Sequence, residues 1–506
     1  MTNTVVYLRE QQWYLFADLK AKFEDDVENV IETLLKNGVL KQVRTTAERD
    51  LSELAEETFA LGPVEQADVS KSYTFCFVGV LLVKGRLLKC LPKYETLPTD
   101  TTDKTVIRAI ERRLQTIFSV LRKYNRNADR EFVYLYNDNI DGSAFNFLAV
   151  MLYLLQDYHE NGLYNNDKEI VETNGSGEIL WDKTINSTFA LLQEGRPYYM
   201  ELQTRRRMSD ENDYFRRLHQ CVLSNCTKEL QEKGIIDLFG LTPTEKTSET
   251  LDDFGDVDYI CYRIEQELNM QFNTRKKLLL KTMYAYIRNE NSVKTEDRFS
   301  MFGTNSFHVI WEEVCRKVLN DKLTCPYALG VLQQEKGVCP SMEEGFPKHL
   351  LDYIEKPKWM LDGKEDRISR DTLIPDIVTF SKNEKWFAIF DAKYYYVREV
   401  NGQLAGVPGI ESVTKQYLYE LAYRNIIPEG WTINNAFLFP YLDETGDEWA
   451  TLFRIRGEAH LAMLENYYEL KPIKIVFVDP QKLYEKYLEE EAIDVSEIKA
   501  VLNQEM

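Results

Sequence analysis

The chain has 506 residues, 44% apolar, 12% aromatic and 28% charged. That is too long for one core and too apolar for a disordered chain, so roughly two to four domains are expected. A net charge of −20 argues against a protein that grips duplex DNA unaided, because phosphate contacts call for a basic face.

No run of about eighteen apolar residues and no basic-then-apolar leader is visible, which predicts a soluble, cytoplasmic protein with no membrane partner. The eight cysteines form no CxxC pair, the nearest two being Cys221 and Cys226. Reduced, buried thiols are expected, and five histidines without HExxH or HxH spacing argue against zinc.

Residues 1–62 read as a small helical or winged-helix unit. The stretch 26–37 sets Val27, Val30, Ile31, Leu34 and Leu35 on one helical stripe that Gly38 ends, and 39–43 is a candidate first wing strand. Glu28 and Glu32 against a single Lys36 favour scaffolding or protein contact on this helix over DNA reading. Residues 73–94 hold two apolar runs around Lys84-Gly85, closed by Pro92, and so predict a β-hairpin. A linker over 95–104 leads to a helix over 106–121, whose Val106, Ile110, Leu114, Ile117 and Leu121 share a face. A second apolar helix is expected near 144–158.

Asn174–Gly177 reads as a turn, and Arg196-Pro197 opens a short strand over 198–202. Arg205, Arg206 and Arg207 are the densest basic cluster, read as lying just ahead of a helix that Ser209 caps and that Asp210 and Glu211 begin. They suit contact with phosphate or an acidic partner; the plainer alternative is a solvated helix start. The stretch 240–247 brushes against a phosphate-binding loop, but Glu245 stands where glycine is required, so no nucleotide site is expected there. Helices near 257–270 and 275–289 follow, with a boundary at 291–297. Residues 63–300 thus form a mixed β-hairpin and helical region suited to partner contact.

Residues 301–506 read as one α/β domain, a mixed sheet flanked by helices, which makes the whole chain an α/β (α+β) multidomain protein. A helix over 306–320 turns Val309, Ile310, Val314 and Leu319 inward. Strands over 434–441, 451–456 and 473–478 and a helix over 459–468 surround the stretch IPDIVTFSKNEKWFAIFDAK at 374–393. Strands over 374–380 and 386–393, paired antiparallel, bring Asp376 beside Asp391, with Lys393 on the same face as Asp391. The nearly continuous apolar run Trp386, Phe387, Ile389, Phe390 fits a strand buried on both faces, where emerging charges are costly unless paired or metal-bound.

Two carboxylates beside an ammonium suit Mg²⁺-dependent phosphodiester hydrolysis, and the spacing is that of the PD…(D/E)xK nuclease pattern; the alternative is a solvated hairpin. Glu312 on the preceding helix is a candidate further metal ligand, with a solvated glutamate as the alternative. Ser412 is expected to cap a helix over 413–423 with Leu418, Leu421 and Ala422 inward, opened by Lys415 and Gln416. There Gln416 could orient phosphate or water, and Tyr419 could be core packing.

With these residues in hand the sequence resembles the LlaJI family of restriction endonuclease subunits, themselves similar to McrC. The resemblance runs through FCFVGVLLVKGRLLKCLPKY at 75–94, NFLAVMLYLLQDYHENGLY at 146–164, GEILWDKTI at 177–185, RPYYMELQTRR at 196–206, FHVIWEEVC at 307–315 and SVTKQYLYELAY at 412–423. It implies a subunit that cuts duplex DNA when assembled with a separate McrB-like AAA+ GTPase, so that GTP or ATP enters only through the partner. It also implies a nuclease triplet of Asp376, Asp391 and Lys393, metal ligation by both aspartates, the carbonyl of Ala392 and Glu312, and a role for Gln416. The tyrosine often found four residues after that glutamine is replaced by Glu420, with Tyr419 one step early. Two other readings stay open: a non-catalytic subunit stimulating a partner NTPase through Arg205–Arg207, and a lone DNA-binding regulator using the first 62 residues.

Overall fold

The computed structural model describes residues 5–43, 72–98, 103–126, 146–209, 212–290, 299–337, 349–360, 367–400, 403–442 and 451–504. The expected boundary at 291–297, and all of 44–62, lie outside these. The chain is of the mixed α/β, multidomain class expected. It divides into two compact units, one of residues 1–133 with 301–506 and one of residues 134–300.

In the first unit the strand Val5–Arg9, not foreseen, runs parallel to Arg86–Leu91, which pairs antiparallel with Val78–Val83. Lys84 (φ 49°) and Gly85 (φ 74°) make the tight turn between the last two, the two-positive-φ geometry that matches strand twist. Leu40–Gln42 pairs with Ser72–Phe75, which also pairs with Trp13–Leu15. The helix Val27–Lys36 buries Val27, Val30, Ile31 and Leu34, whereas Leu35 is 37% exposed.

A five-stranded sheet of this unit has strand order Ile377–Ser381, Trp386–Ala392, Thr432–Pro440, Ile473–Val478, Phe453–Ala459. Its pairings are antiparallel at both edges and parallel between. The interior strand Trp386–Ala392 is buried at every position, and each large side chain so buried contributes about 1.5–3 kcal/mol. Helix Ile410–Tyr423 covers the face of Phe387 and Ile389 with Tyr419 and Tyr423. Trp386 satisfies its indole N–H on Asn434 Oδ1 at 2.6 Å.

Two helices differ from expectation in their buried face. Helix Ile410–Tyr423 starts at Gly409, not Ser412, and buries Gln416, Tyr417, Tyr419, Glu420 and Tyr423, while Leu418 is 38% exposed. Helix Phe307–Val318 buries Phe307, Ile310, Trp311, Val314, Cys315 and Val318, leaving Val309 outside.

The second unit packs helices Phe147–Asn161, Val257–Met270 and Thr274–Glu290 with Tyr214–Glu232. Asp213, rather than Ser209, caps the last of these, accepting from the N–H groups of Phe215 and Arg216. Gln203–Ser209 is instead a strand between Asp167–Thr173 and Glu178–Ile179. Among the described residues no helix is long and apolar enough to cross a membrane.

Candidate active site

The hairpin register sets the site. Ile377 lies opposite Phe390, so the residue before the first strand, Asp376, meets Asp391 near the end of the second. Asp376 Oδ2 accepts the Ala392 N–H at 3.0 Å, which pins the two strand ends together. Lys393 Nζ lies 3.0 Å from Asp391 Oδ2. The two aspartates and the lysine therefore converge, as the alternation of strand side chains predicts.

The electrostatics of the group are strained. Asp391 is only 6% exposed, and its Oδ1 is buried without a hydrogen-bond partner. Burial, then the charge of Asp376 and a hydrogen bond with it, hold the Asp391 carboxyl well above the ordinary carboxylate range; Lys393 pulls the other way. For Lys393, burial alone would favour the neutral amine, but Asp391 and then Asp376 outweigh it and keep the ammonium firmly protonated. A buried acid beside a second acid, with one oxygen unmatched, is an arrangement that a cation completes.

The remaining candidates sort clearly. Glu312 lies close enough for the charges of Asp376 and Lys393 to be felt, and burial followed by Asp376 raises its pKa. Its Oε1, however, accepts from Arg316 at 2.6 Å, and the same guanidinium donates to the main-chain carbonyl of Asp376 at 3.2 Å. Arg316 was not anticipated; its place one turn after Glu312 was the only available signal.

Gln416 is fully buried, with its amide nitrogen near the carbonyls of Ile389 (3.4 Å) and Ala436 (3.5 Å). It braces adjacent strands beneath Asp391 and is not an exposed helix residue. Glu420 is also buried and accepts from Asn435 Nδ2 at 3.3 Å, while the same amide donates to the Gln416 carbonyl at 2.9 Å. The Tyr419 hydroxyl donates to Ile374 O at 2.9 Å, and its pKa is raised by burial and then by Asp391 and Asp376.

Among the described residues no three or more His, Cys, Asp or Glu side chains gather into a metal-binding group. The donors are thus two carboxylates, with the Ala392 carbonyl adjacent. That set fits Mg²⁺ better than a transition metal, since Mg²⁺ is held by one or two carboxylates and keeps several waters. The unmatched Asp391 Oδ1 is the observation that agrees with it.

In the second unit, Arg205 is ion-paired with Glu178 at 2.8 Å and Arg206 is exposed, both on the Gln203–Ser209 strand. Arg207 continues that strand; its side chain lies outside the described residues. The same unit also carries exposed apolar side chains: Trp181 (54%), Phe189 (86%), Leu192 (76%) and Met200 (72%).

Comparison with known proteins bears on the site. The chain is 27% identical over 439 residues to the type II restriction enzyme BsuMI component YdjA of Bacillus subtilis (strain 168), covering 85% of this chain and 84% of that protein. Two solved structures also overlap it. One is the Thermococcus gammatolerans half-complex of McrB AAA+ hexamers with bound McrC, at TM-score 0.36 and 13% identity, over 96% of this chain and 99% of that one. The other is the McrBC complex of the same organism, at TM-score 0.24 and 15% identity, over 63% and 88%. The family model described as LlaJI restriction endonuclease matches residues 77–329 and 338–481, which include every residue of the convergent group. The chain belongs to the LlaJI restriction endonuclease family.

Proposed function

We propose that this protein is the Mg²⁺-dependent DNA-cleaving subunit of a restriction system, active when assembled with a separate McrB-like AAA+ GTPase. The observation that carries the reading is the meeting of Asp376, Asp391 and Lys393 at the mouth of one hairpin, with a buried carboxylate oxygen left unmatched. Family membership supports the reaction class.

Asp376 and Asp391 would hold the metal, with the Ala392 carbonyl beside them. Bound there, Mg²⁺ supplies Lewis-acid polarisation of a phosphate oxygen and a more acidic water. Lys393, kept charged by Asp391, orients the attacking water and offsets the negative charge that builds on the phosphate. Asp376 does a second job through its hydrogen bond to Ala392, fixing the strand end that presents Lys393. Gln416 supports the strands beneath. Glu312, engaged by Arg316, stands as a reserve carboxylate beside the pair.

Charge and surface support a separate partner. A chain of net charge −20 needs another protein to bring DNA to this centre. The exposed Trp181, Phe189, Leu192 and Met200 fall within one stretch of twenty residues, which suits a docking surface. Arg206, exposed on the Gln203–Ser209 strand, favours a second role in stimulating the partner's nucleotide turnover.

Asp391→Ala and Lys393→Ala, each mixed with the partner, its nucleotide, Mg²⁺ and duplex DNA, test the first reading. Cleavage is expected to fall at least about 10²–10³-fold while the complex still assembles. Cleavage retained by either variant would overturn the assignment. Arg206→Ala separates the second reading: nucleotide turnover should drop while cleavage chemistry survives.

A further inference from the structure

The strands Val5–Arg9 and Arg86–Leu91 run parallel, and each releases a charged residue beyond its C-terminal end. Glu10 leaves the first; Lys93 leaves the second, after Pro92. Both are buried, at 6% and 9% exposure. The Tyr394 hydroxyl donates to Glu10 Oε2 at 2.5 Å. The Lys93 ammonium stands 4.2 Å from the centre of the Tyr394 ring and 5.7 Å from that of Tyr395, and donates to Gln11 Oε1 at 2.9 Å. Phe307 also packs against Tyr394, with ring centres 5.3 Å apart.

Buried charges are costly to desolvate, and two apolar residues of like size would stabilise the fold as well or better. Burial pulls the Lys93 amine down to about 8 even with Glu10 opposing it. The arrangement supplies direction instead. Tyr394 follows Lys393 and points to the opposite face, so fixing its ring and hydroxyl fixes the backbone that presents Lys393. The segment is leaving the sheet at this point. Lys393 N–H still reaches Leu438 O at 3.0 Å, whereas Tyr395 N–H folds back onto Lys393 O at 2.9 Å. Side-chain anchoring takes over where the ladder of backbone hydrogen bonds stops.

We propose that Glu10 and Lys93, acting through Tyr394, are positioning residues that hold Lys393 against Asp391, which makes the N-terminal strands part of the cleavage centre. The functional consequence rests on the nuclease reading above; the local ordering does not. Cation–π and charge-assisted hydrogen bonds to one ring set both its tilt and its depth, and a reacting group displaced by about 1 Å can lose about 10²-fold in rate.

The test compares wild type, Tyr394→Phe, Glu10→Gln and Asp391→Asn, each in the partner complex with Mg²⁺ and plasmid DNA. Two readouts are taken: steady-state cleavage, and backbone hydrogen exchange of peptides covering 391–396 and 473–478. Tyr394→Phe keeps the ring under Lys93 and removes only the hydroxyl. It should lower kcat about tenfold with KM for DNA unchanged, and speed exchange severalfold at 391–396 but not at 473–478. Glu10→Gln should do the same.

Unchanged kcat, unchanged exchange at 391–396, or equal loosening of both segments would each overturn the proposal. Should Glu10→Gln fail to fold, Tyr394→Phe decides alone. Cleavage surviving in Asp391→Asn would mean that the nuclease reading has failed, and the exchange measurement would still decide the positioning.

Discussion

Asp391 and Glu267 are equally buried, each 6% exposed, yet the protein treats them in opposite ways. Around Glu267, in the second unit, Tyr164, Asn166 and Gln271 all donate to Oε1. Burial pushes that carboxyl up, but the three donors and Lys276 outweigh it, and its pKa is lowered. Asp391 has one charged partner, one competing acid and one unmatched oxygen, and its pKa is raised. Burial therefore does not by itself set a carboxylate's pKa; incomplete matching of its lone pairs beside a like charge raises it. The same contrast recurs nearby, where Asp157 is gripped at both oxygens by Arg275 at 2.7 and 2.9 Å.

The comparison makes its largest prediction in cleavage. Asp391→Asn should remove at least about 10²-fold of the activity of the assembled complex, whereas Glu267→Gln should cut DNA normally. An equal loss in both, measured as single-turnover rates, would break the distinction. Stability should move the other way. Glu267→Gln weakens three hydrogen bonds to a charge and is expected to cost about 1.5–3 kcal/mol in urea unfolding. Asp391→Asn relieves repulsion with Asp376 and should leave the metal-free protein no less stable.

A buried histidine of the second unit gives the pH-dependent form of the contrast. His219 Nδ1 accepts the Tyr164 N–H at 3.0 Å, and burial, with Arg275 and Arg216, lowers its pKa from 6.5 to about 3. Below pH 6.5 the unfolded chain takes up a proton that the folded chain refuses, so stability falls as pH drops toward 3. Between pH 6.5 and 5 the loss from this group is ~2 kcal/mol. His219→Asn, which keeps an acceptor for Tyr164, should flatten that slope in denaturation curves.

The smallest folding effect belongs to the exposed surface. Phe189→Ser with Leu192→Ser should change unfolding by about 0.5 kcal/mol or less. The same pair should weaken partner binding about tenfold if these side chains form a docking patch. Calorimetry of the pair against partner distinguishes the two.

Much of the site was legible because its determinants are local. The alternation and apolar run of 386–393 give a doubly buried strand, and a short polar turn fixes which acid faces which. The inward face of helix Ile410–Tyr423 was not legible. Leu418, Leu421 and Ala422 looked like a core stripe, but Gln416 turns inward toward the main-chain carbonyls of Ile389 and Ala436, and Glu420 because Asn435, on a strand parallel to Trp386–Ala392, donates to its carboxylate. That partner is distant in sequence and carries no periodic signal. Arg205–Arg207 were misplaced for the same reason, since their strand is defined by pairing with Asp167–Thr173. Glu10 and Lys93 escaped notice because only the parallel pairing of Val5–Arg9 with Arg86–Leu91 brings them together.

The most direct test of the account is a titration of Mn²⁺, as a Mg²⁺ surrogate, followed by electron paramagnetic resonance on wild type, Asp376→Asn, Asp391→Asn and Glu267→Gln. Wild type and Glu267→Gln should bind the ion with the same Kd, and both aspartate variants should lose the site. Undiminished binding in Asp391→Asn would contradict the claim that this pair of acids holds the metal.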